Sequence, residues 1–288
     1  MAIEAKLVKE LRERTGVGMM DCKKALLETN GDIEKAVEFL RKAGQAKADK
    51  KASRVAAEGL VVIRQDNNFS VIAEINSETD FVAKDENFIN FSNKVLDCVI
   101  SSQPKDVDEL MEIKIDDGNL ESVRKELVAK VGENISVRRF FLLNSINNVS
   151  LYSHMGRIGV ITELDGGNES LANDISMQIA ASTPQYIDID AIPENELNKE
   201  REILIAQALQ EGKPQEIVAK MVDGRLRKHL SEITLLGQSF IKDTDTNVAD
   251  LLTASGAKVI SFTRYELGEG IVKEEQDFVA EVMAQASQ

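Results

Sequence analysis

Phe69-Ser-Val-Ile-Ala-Glu-Ile75 is a strand-like run whose centre returns later in the chain: Val71-Ile-Ala-Glu-Ile75 lines up with Val160-Ile-Thr-Glu-Leu164. Working outward from the first run, Asp66-Asn67-Asn68 is a good turn joining it to Leu60–Arg64 as a hairpin. Helix-like segments follow at about 86–101 and 120–131, the second with Leu120, Val123, Leu127, Val128 and Val131 on one face. Ile135-Ser-Val-Arg-Arg-Phe-Phe-Leu-Leu143 closes this half as a strand. Around the second run the order repeats: strands Ser150–His154 and Ile158–Leu164, a helix at 169–182 ended by Thr183-Pro184, a helix near 247–254, and the closing strand Lys258–Glu266. The recurrence predicts an α+β protein with a duplicated core of antiparallel sheets, 57–145 and 146–272.

The two copies differ in two places. The first has a longer strand-to-helix connection, which holds Thr79-Asp80-Phe81-Val82. The second contains a helical insertion, 194–232, broken by Gly212-Lys213-Pro214. Glycine ending one helix and proline opening the next predicts an antiparallel hairpin with arms of roughly 22–27 Å. Leu197, Ile203, Leu204, Ala208 and Leu209 are expected to face Ile217, Met221, Val222 and Leu226. The hairpin is also a candidate for pairing two copies of the chain.

Ahead of the core, residues 1–45 read as three short helices. Ile3, Leu7, Val8 and Leu11 share one face, and Gly16 is a left-handed terminator. The second helix carries Cys22, Ala25 and Leu26, and the third, capped by Asp32, carries Ile33, Ala36, Val37 and Leu40 before Gly44. Met19 and Met20 lie at a turn where they could pack inward or stay exposed for a partner. From Arg41 to Arg54 six basic residues accompany one acid. With no aromatics interleaved, this reads as a solvated helix end running into a linker at 46–56 rather than an RNA-binding patch.

The 288 residues carry 49 acidic against 35 basic side chains, a formal charge of −14. Such a surface repels phosphate backbones and argues against nucleic-acid binding. Cys22 and Cys98 form no CxxC pair and each falls on a helical stripe, as reduced, buried thiols do. Neither a signal core nor a run of ~20 apolar residues appears, so a protein of the cytoplasm, or of an organelle after processing, without a membrane partner is expected.

The search for chemistry finds no phosphate loop, HExxH helix or GxSxG elbow. His154 and His229 fall in different elements. Asp243-Thr-Asp-Thr-Asn247 begins like a calcium loop, but Val248 replaces the glycine and Ala254 the bidentate acid, so it reads as a capping and turn segment. No catalytic, metal or cofactor site is expected. Thr79–Val82 admits two readings from the residues alone. Asp80 can bond nearby amides while Phe81 tucks under its own helix, or the pair forms a wedge offered to another protein.

Leu11-Arg-Glu-Arg-Thr-Gly-Val-Gly-Met-Met-Asp-Cys-Lys-Lys-Ala-Leu26 resembles the opening module of the elongation factor Ts family, and Thr79-Asp-Phe-Val-Ala-Lys84 its signature loop. The resemblance continues through Lys130-Val-Gly-Glu-Asn-Ile135, Arg157-Ile-Gly-Val160, Lys220-Met-Val222 and Gly268-Glu-Gly-Ile271. It implies a ubiquitin-associated-type three-helix module, two related α+β halves, a helical protrusion and a C-terminal helix at 273–288. It also implies guanine-nucleotide exchange on elongation factor Tu, in its GDP-bound and nucleotide-free forms. By the same resemblance, Thr79, Asp80, Phe81 and Val82 would displace the partner's magnesium indirectly, by wedging into its nucleotide-binding domain. Arg12, Val17, Met19, Met20 and His154 would add contacts. The competing reading is a scaffold adaptor working through the N-terminal helices. Deleting residues 1–50 separates the two, since an exchange factor should retain a core activity with weaker partner affinity.

Overall fold

Three helices open the chain, α1 (Ala5–Thr15), α2 (Met19–Glu28) and α3 (Ile33–Lys51). The computed structural model describes residues 3–115, 118–211 and 215–272. After α3 come β1 (Glu58–Asp66), β2 (Phe69–Ser77), α4 (Asp80–Ala83), α5 (Glu86–Ser102), α6 (Val107–Met111), β3 (Lys114–Ile115), β4 (Gly118–Asn119), α7 (Leu120–Val131) and β5 (Ile135–Asn144). The second half contains β6 (Asn148–His154), β7 (Ile158–Asp165), α8 (Glu169–Ser182), α9 (Glu194–Gln210), α10 (Gln215–Ile233), β8 (Ser239–Phe240), β9 (Asp243–Asn247), α11 (Val248–Ala254) and β10 (Lys258–Glu266). One unit takes in residues 1–62, 73–140 and 266–288 and the other 63–72 and 141–265. The expected C-terminal helix, 273–288, and the hairpin turn Gly212-Lys213-Pro214 lie outside the described residues.

The duplication is visible in the sheets. One has the strand order β1-β2-β5 and the other β6-β7-β10. In each, the second strand of a hairpin is central and the closing strand of that half lies beside it. The two central strands carry the matched runs Val71–Ile75 and Val160–Leu164, buried at every position. Hairpin turns form where the sequence places them. Asn67 at φ 51° turns β1 into β2, and Met155 (φ 52°) and Gly156 (φ 68°) turn β6 into β7. β6 and β7 run antiparallel, with Tyr152 opposite Val160 and His154 opposite Ile158. α8 lies on this pair, and Leu171, Ile175 and Ile179 form a core with Val160, Leu164, Leu252 and Val259.

The N-terminal helices enclose Val8, Leu11, Cys22, Ala25, Leu26, Ala36 and Leu40. Gly16 ends α1 at φ 67°, its N–H donating to the Arg12 carbonyl, and the Asp32 carboxylate accepts the Lys35 N–H at the start of α3. Cys22 and Cys98 are both buried free thiols, and burial is the leading cause that pushes each pKa up. α3 extends further than its apolar stripe predicts. It passes Gly44 and ends at Lys51, inside the segment expected as linker, because its small residues let it lie close against α7. Gly44 and Ala48 are buried, and Arg41–Glu126 (3.0 Å) and Asp49–Lys125 (2.9 Å) flank the contact as ion pairs. A Cβ on Gly44 would stand 2.9 Å from the Ala129 Cβ. Gly44→Val is therefore expected to destabilise the protein by about 1–3 kcal/mol through overpacking. Urea unfolding checks this, and an unchanged midpoint would show that α3 can move off α7 freely.

The helical insertion is a hairpin, with a seam of Leu204, Ala208, Val218, Val222 and Leu226. Ile203 and Leu209, expected in that seam, are exposed. The reason is angular: Leu204 and Ala208 lie one turn apart, and each neighbour is rotated about 100° away. Asp243–Asn247 forms β9; Asp243 accepts the Thr246 hydroxyl at 2.7 Å and Asn247 caps α11, the turn-and-cap role predicted for it.

The matched runs also place equivalent carboxylates, Glu74 and Glu163, on the two central strands, and both are buried. Glu74 accepts from Arg138 at 2.9 Å, Arg139 at 2.7 Å, Asn76 at 3.2 Å and the Gly268 N–H at 2.8 Å. Burial alone would raise its pKa. The Gly268 amide, the two guanidiniums and the Asn76 amide outweigh that and hold it below the ordinary glutamate range. Glu163 is kept ionised by neutral donors instead: Ser145 at 2.6 Å, Asn147 at 2.8 Å and Ser261 at 2.9 Å. These bonds, the Ser145 hydroxyl first, lower its pKa against the opposing effect of burial.

Candidate functional site

β2 delivers the chain into Glu78-Thr79, where the backbone turns from extended to helical. Thr79 (φ −125°, ψ 157°) is the N-cap of α4, its hydroxyl oxygen facing the Val82 N–H at 3.5 Å. The one-turn helix splits its side chains sharply. Val82 and Ala83 point inward and are buried, whereas Phe81 is 80% exposed. The structure thus excludes Phe81 tucked beneath its own helix. Asp80, next to the ring, pairs with Lys84 at 2.7 Å along the helix. α5 begins immediately beyond, capped by Asp85, whose pKa is lowered first by the Asn87 side chain.

Four residues make too short a helix to hold itself, since nucleation costs more than one turn returns. The support comes from the residues after α7. Gly132 (φ 81°) ends that helix, and Glu133 then accepts two hydrogen bonds from Thr79, the N–H at 2.9 Å and the hydroxyl at 2.7 Å. The Asn134 N–H donates to Glu78 at 2.6 Å, and its side-chain amide donates to the Arg54 carbonyl at 2.8 Å. Ser77 donates to the Thr79 carbonyl at 2.8 Å, and Lys51 donates to the Gly132 carbonyl. Glu78, Glu133 and Asn134 were not singled out from the sequence. The run Lys130–Ile135 carried the only signal, as part of the family resemblance and without an assigned role.

Of the remaining sequence-predicted residues, Met19 and Met20 start α2 and are 45% and 77% exposed. Arg12 is exposed on α1, while Val17 is half-buried against the three-helix core. Their module packs through α3 on α7, the helix whose end supports Thr79. His154 lies in the other unit, exposed at the end of β6. Its ring stacks on Tyr152 with centroids 6.4 Å apart, and Met155 beside it is 84% exposed. Among the described residues no His, Cys, Asp and Glu cluster could hold a metal ion, and no helix is long and apolar enough to cross a membrane.

A braced aromatic tip with exposed methionines on the same unit is equipped to bind a protein surface. The sequence model of the family described as Elongation factor TS matches residues 78–269. The chain is 55% identical to Elongation factor Ts of Thioalkalivibrio sulfidiphilus, with 99% of each chain covered. It is 53% identical to that of Halorhodospira halophila (99% of each covered) and 54% identical to that of Legionella pneumophila strain Lens (98% of each).

Proposed function

The chain belongs to the elongation factor Ts family, and we propose that it is the guanine-nucleotide exchange factor of elongation factor Tu in translation elongation. It acts in the cytoplasm by protein binding, without covalent chemistry of its own. The observation that carries the mechanism is the exposed Phe81 ring on a helix turn held from outside by Glu133. In a GTPase, magnesium and the phosphate-binding loop together hold the nucleotide's phosphates. Phe81 wedges between helices of that domain and moves the magnesium-supporting elements without touching the nucleotide, while Asp80 hydrogen-bonds to the displaced segment. GDP leaves, and the nucleotide-free complex persists until GTP binds.

Burying one phenylalanine supplies about 1.5–3 kcal/mol, one to two decades of affinity. A wider grip has to supply the rest. Arg12, Val17, Met19 and Met20, on a module of ubiquitin-associated type, hold the nucleotide-binding domain, and His154 touches another domain of the partner. Coupling is reciprocal: as far as the factor weakens nucleotide binding, nucleotide weakens factor binding. That is what lets GTP expel the factor. The acidic surface, with its net charge of −14, favours a protein partner over nucleic acid.

The test is the rate of GDP dissociation from elongation factor Tu with and without this protein; equal rates would overturn the proposal. Replacing Met19 and Met20 together by serine is expected to raise the concentration giving half-maximal acceleration by about tenfold and to leave the maximal rate unchanged. A lowered maximum with no change in that concentration would place the methionines in the exchange step instead. The exposed Ile203 and Leu209 make the α9–α10 hairpin a candidate for pairing two copies, which light scattering of the free factor decides.

A further inference from the structure

Phe81 presents a physical problem that its role as a wedge does not solve. A ring 80% in water gains by collapsing onto nearby apolar surface, and the helix turn carrying it is only four residues long. Within α4 the polar support is modest: its cap bond is long, 3.5 Å, and the Asp80–Lys84 pair is exposed and therefore weak. The strong, short bonds come from a distant part of the chain. Glu133 grips the Thr79 N–H and hydroxyl together, a charge-assisted pair of bonds that fixes both the backbone and the χ1 rotamer of the cap.

We infer that Glu133 is a positioning residue for exchange: its carboxylate holds Thr79 so that Phe81 is presented in the wedge orientation before the partner arrives. This rests on the reading of Phe81 given above. Preorganisation of this kind lowers the ordering cost of binding. It also accounts for Gly132 at φ 81°, which turns the chain out of α7 and aims the next side chain at Thr79. Asn134 completes the arrangement from the same turn. It joins Glu78 on one side to the Arg54 carbonyl on the other, so the residues after α3 and the base of the wedge are fixed to one short segment.

Glu133→Gln tests this, because an amide is nearly isosteric but can accept on one atom only. Thr79→Val, which keeps the shape and removes the hydroxyl, is the variant on the other side of the contact. Both are examined in the full-length factor carrying para-fluorophenylalanine at position 81, by fluorine NMR and by GDP release from elongation factor Tu. The expected result is a shifted or broadened fluorine resonance in each variant and a fall in exchange efficiency of about tenfold, with the helical circular dichroism intact. An unchanged resonance overturns the inference whatever the exchange rate does. So does a variant that keeps full exchange while Phe81→Ala loses it. If Phe81→Ala itself exchanges normally while the resonance responds to Glu133, the wedge reading fails and the positioning of the ring stands.

Discussion

Replacing Phe81 by alanine is expected to reduce the acceleration of GDP release from elongation factor Tu by one to two decades at fixed factor concentration, with the circular dichroism of the factor unchanged. The magnitude follows from the burial of one phenylalanine in the complex, about 1.5–3 kcal/mol. The absence of a folding effect follows from where the ring sits in the free protein. At 80% exposure it leaves no cavity behind, so the stability change should stay within about 0.5 kcal/mol. This separation matters because most substitutions of large aromatics confound function with folding, and this one does not. Val82 provides the contrast. It is one residue further along the same turn but buried, so Val82→Ala should lower stability as well as activity. Release that remains fast with Phe81→Ala would remove the wedge from the mechanism and leave exchange to the rest of the grip.

Glu74→Ala should have the largest effect on stability, a loss of about 3–5 kcal/mol at neutral pH, the range for removing one partner of a buried ion pair. The variant strands the Gly268 N–H and removes the carboxylate that Arg138 and Arg139 share, leaving Glu269, 3.1 Å from Arg139, to offset two guanidiniums. Both guanidiniums are 29% exposed and can turn partly to water, which places the expected loss at the lower end. The sign of the pH dependence is fixed by the depressed folded-state pKa. The unfolded chain binds a proton at Glu74 more readily than the folded one, so between the two pKa values stability rises with pH. The contribution is fully present above the unfolded value of about 4.3 and is lost as pH falls through the lower, folded value. Urea midpoints of the two proteins should therefore differ most at neutral pH and converge only in strong acid. A difference independent of pH would mean that the loss comes from packing and not from the carboxylate's charge.

The pair Glu74 and Glu163 shows where the sequence could be read and where it could not. Their alignment within Val71–Ile75 and Val160–Leu164 follows from the two runs alone, and so does the repeated order of elements, whereas the central place of each strand appears only in the sheets. Local rules also fixed the turn at Asn67, the terminator at Gly16 and the caps at Asp32 and Asn247, because each depends on the φ or side-chain reach of one residue. The partners of the two glutamates follow from no local rule. Arg138, Arg139 and Gly268 meet Glu74 across long separations, and the serines and asparagine around Glu163 have no distinctive spacing. In the α9–α10 seam Leu204, Ala208, Val222 and Leu226 pack as expected while Ile203 and Leu209 lie one position off it, since a helical stripe specifies a face to within one residue and only the packed partner selects between neighbours.

Sequence by itself determined that this chain is a duplicated α+β protein with a helical preface, and that Thr79–Val82 lies in one of the two places where its halves differ. Periodicity and turn chemistry are properties of short segments, and they survive without knowledge of what packs against them. Only the tertiary structure decided that Phe81 stands in solvent and that Glu133 accepts two hydrogen bonds from Thr79 at its base. Exposure and long-range hydrogen bonds are set by how distant segments meet, which is a property of the folded chain and of no segment within it.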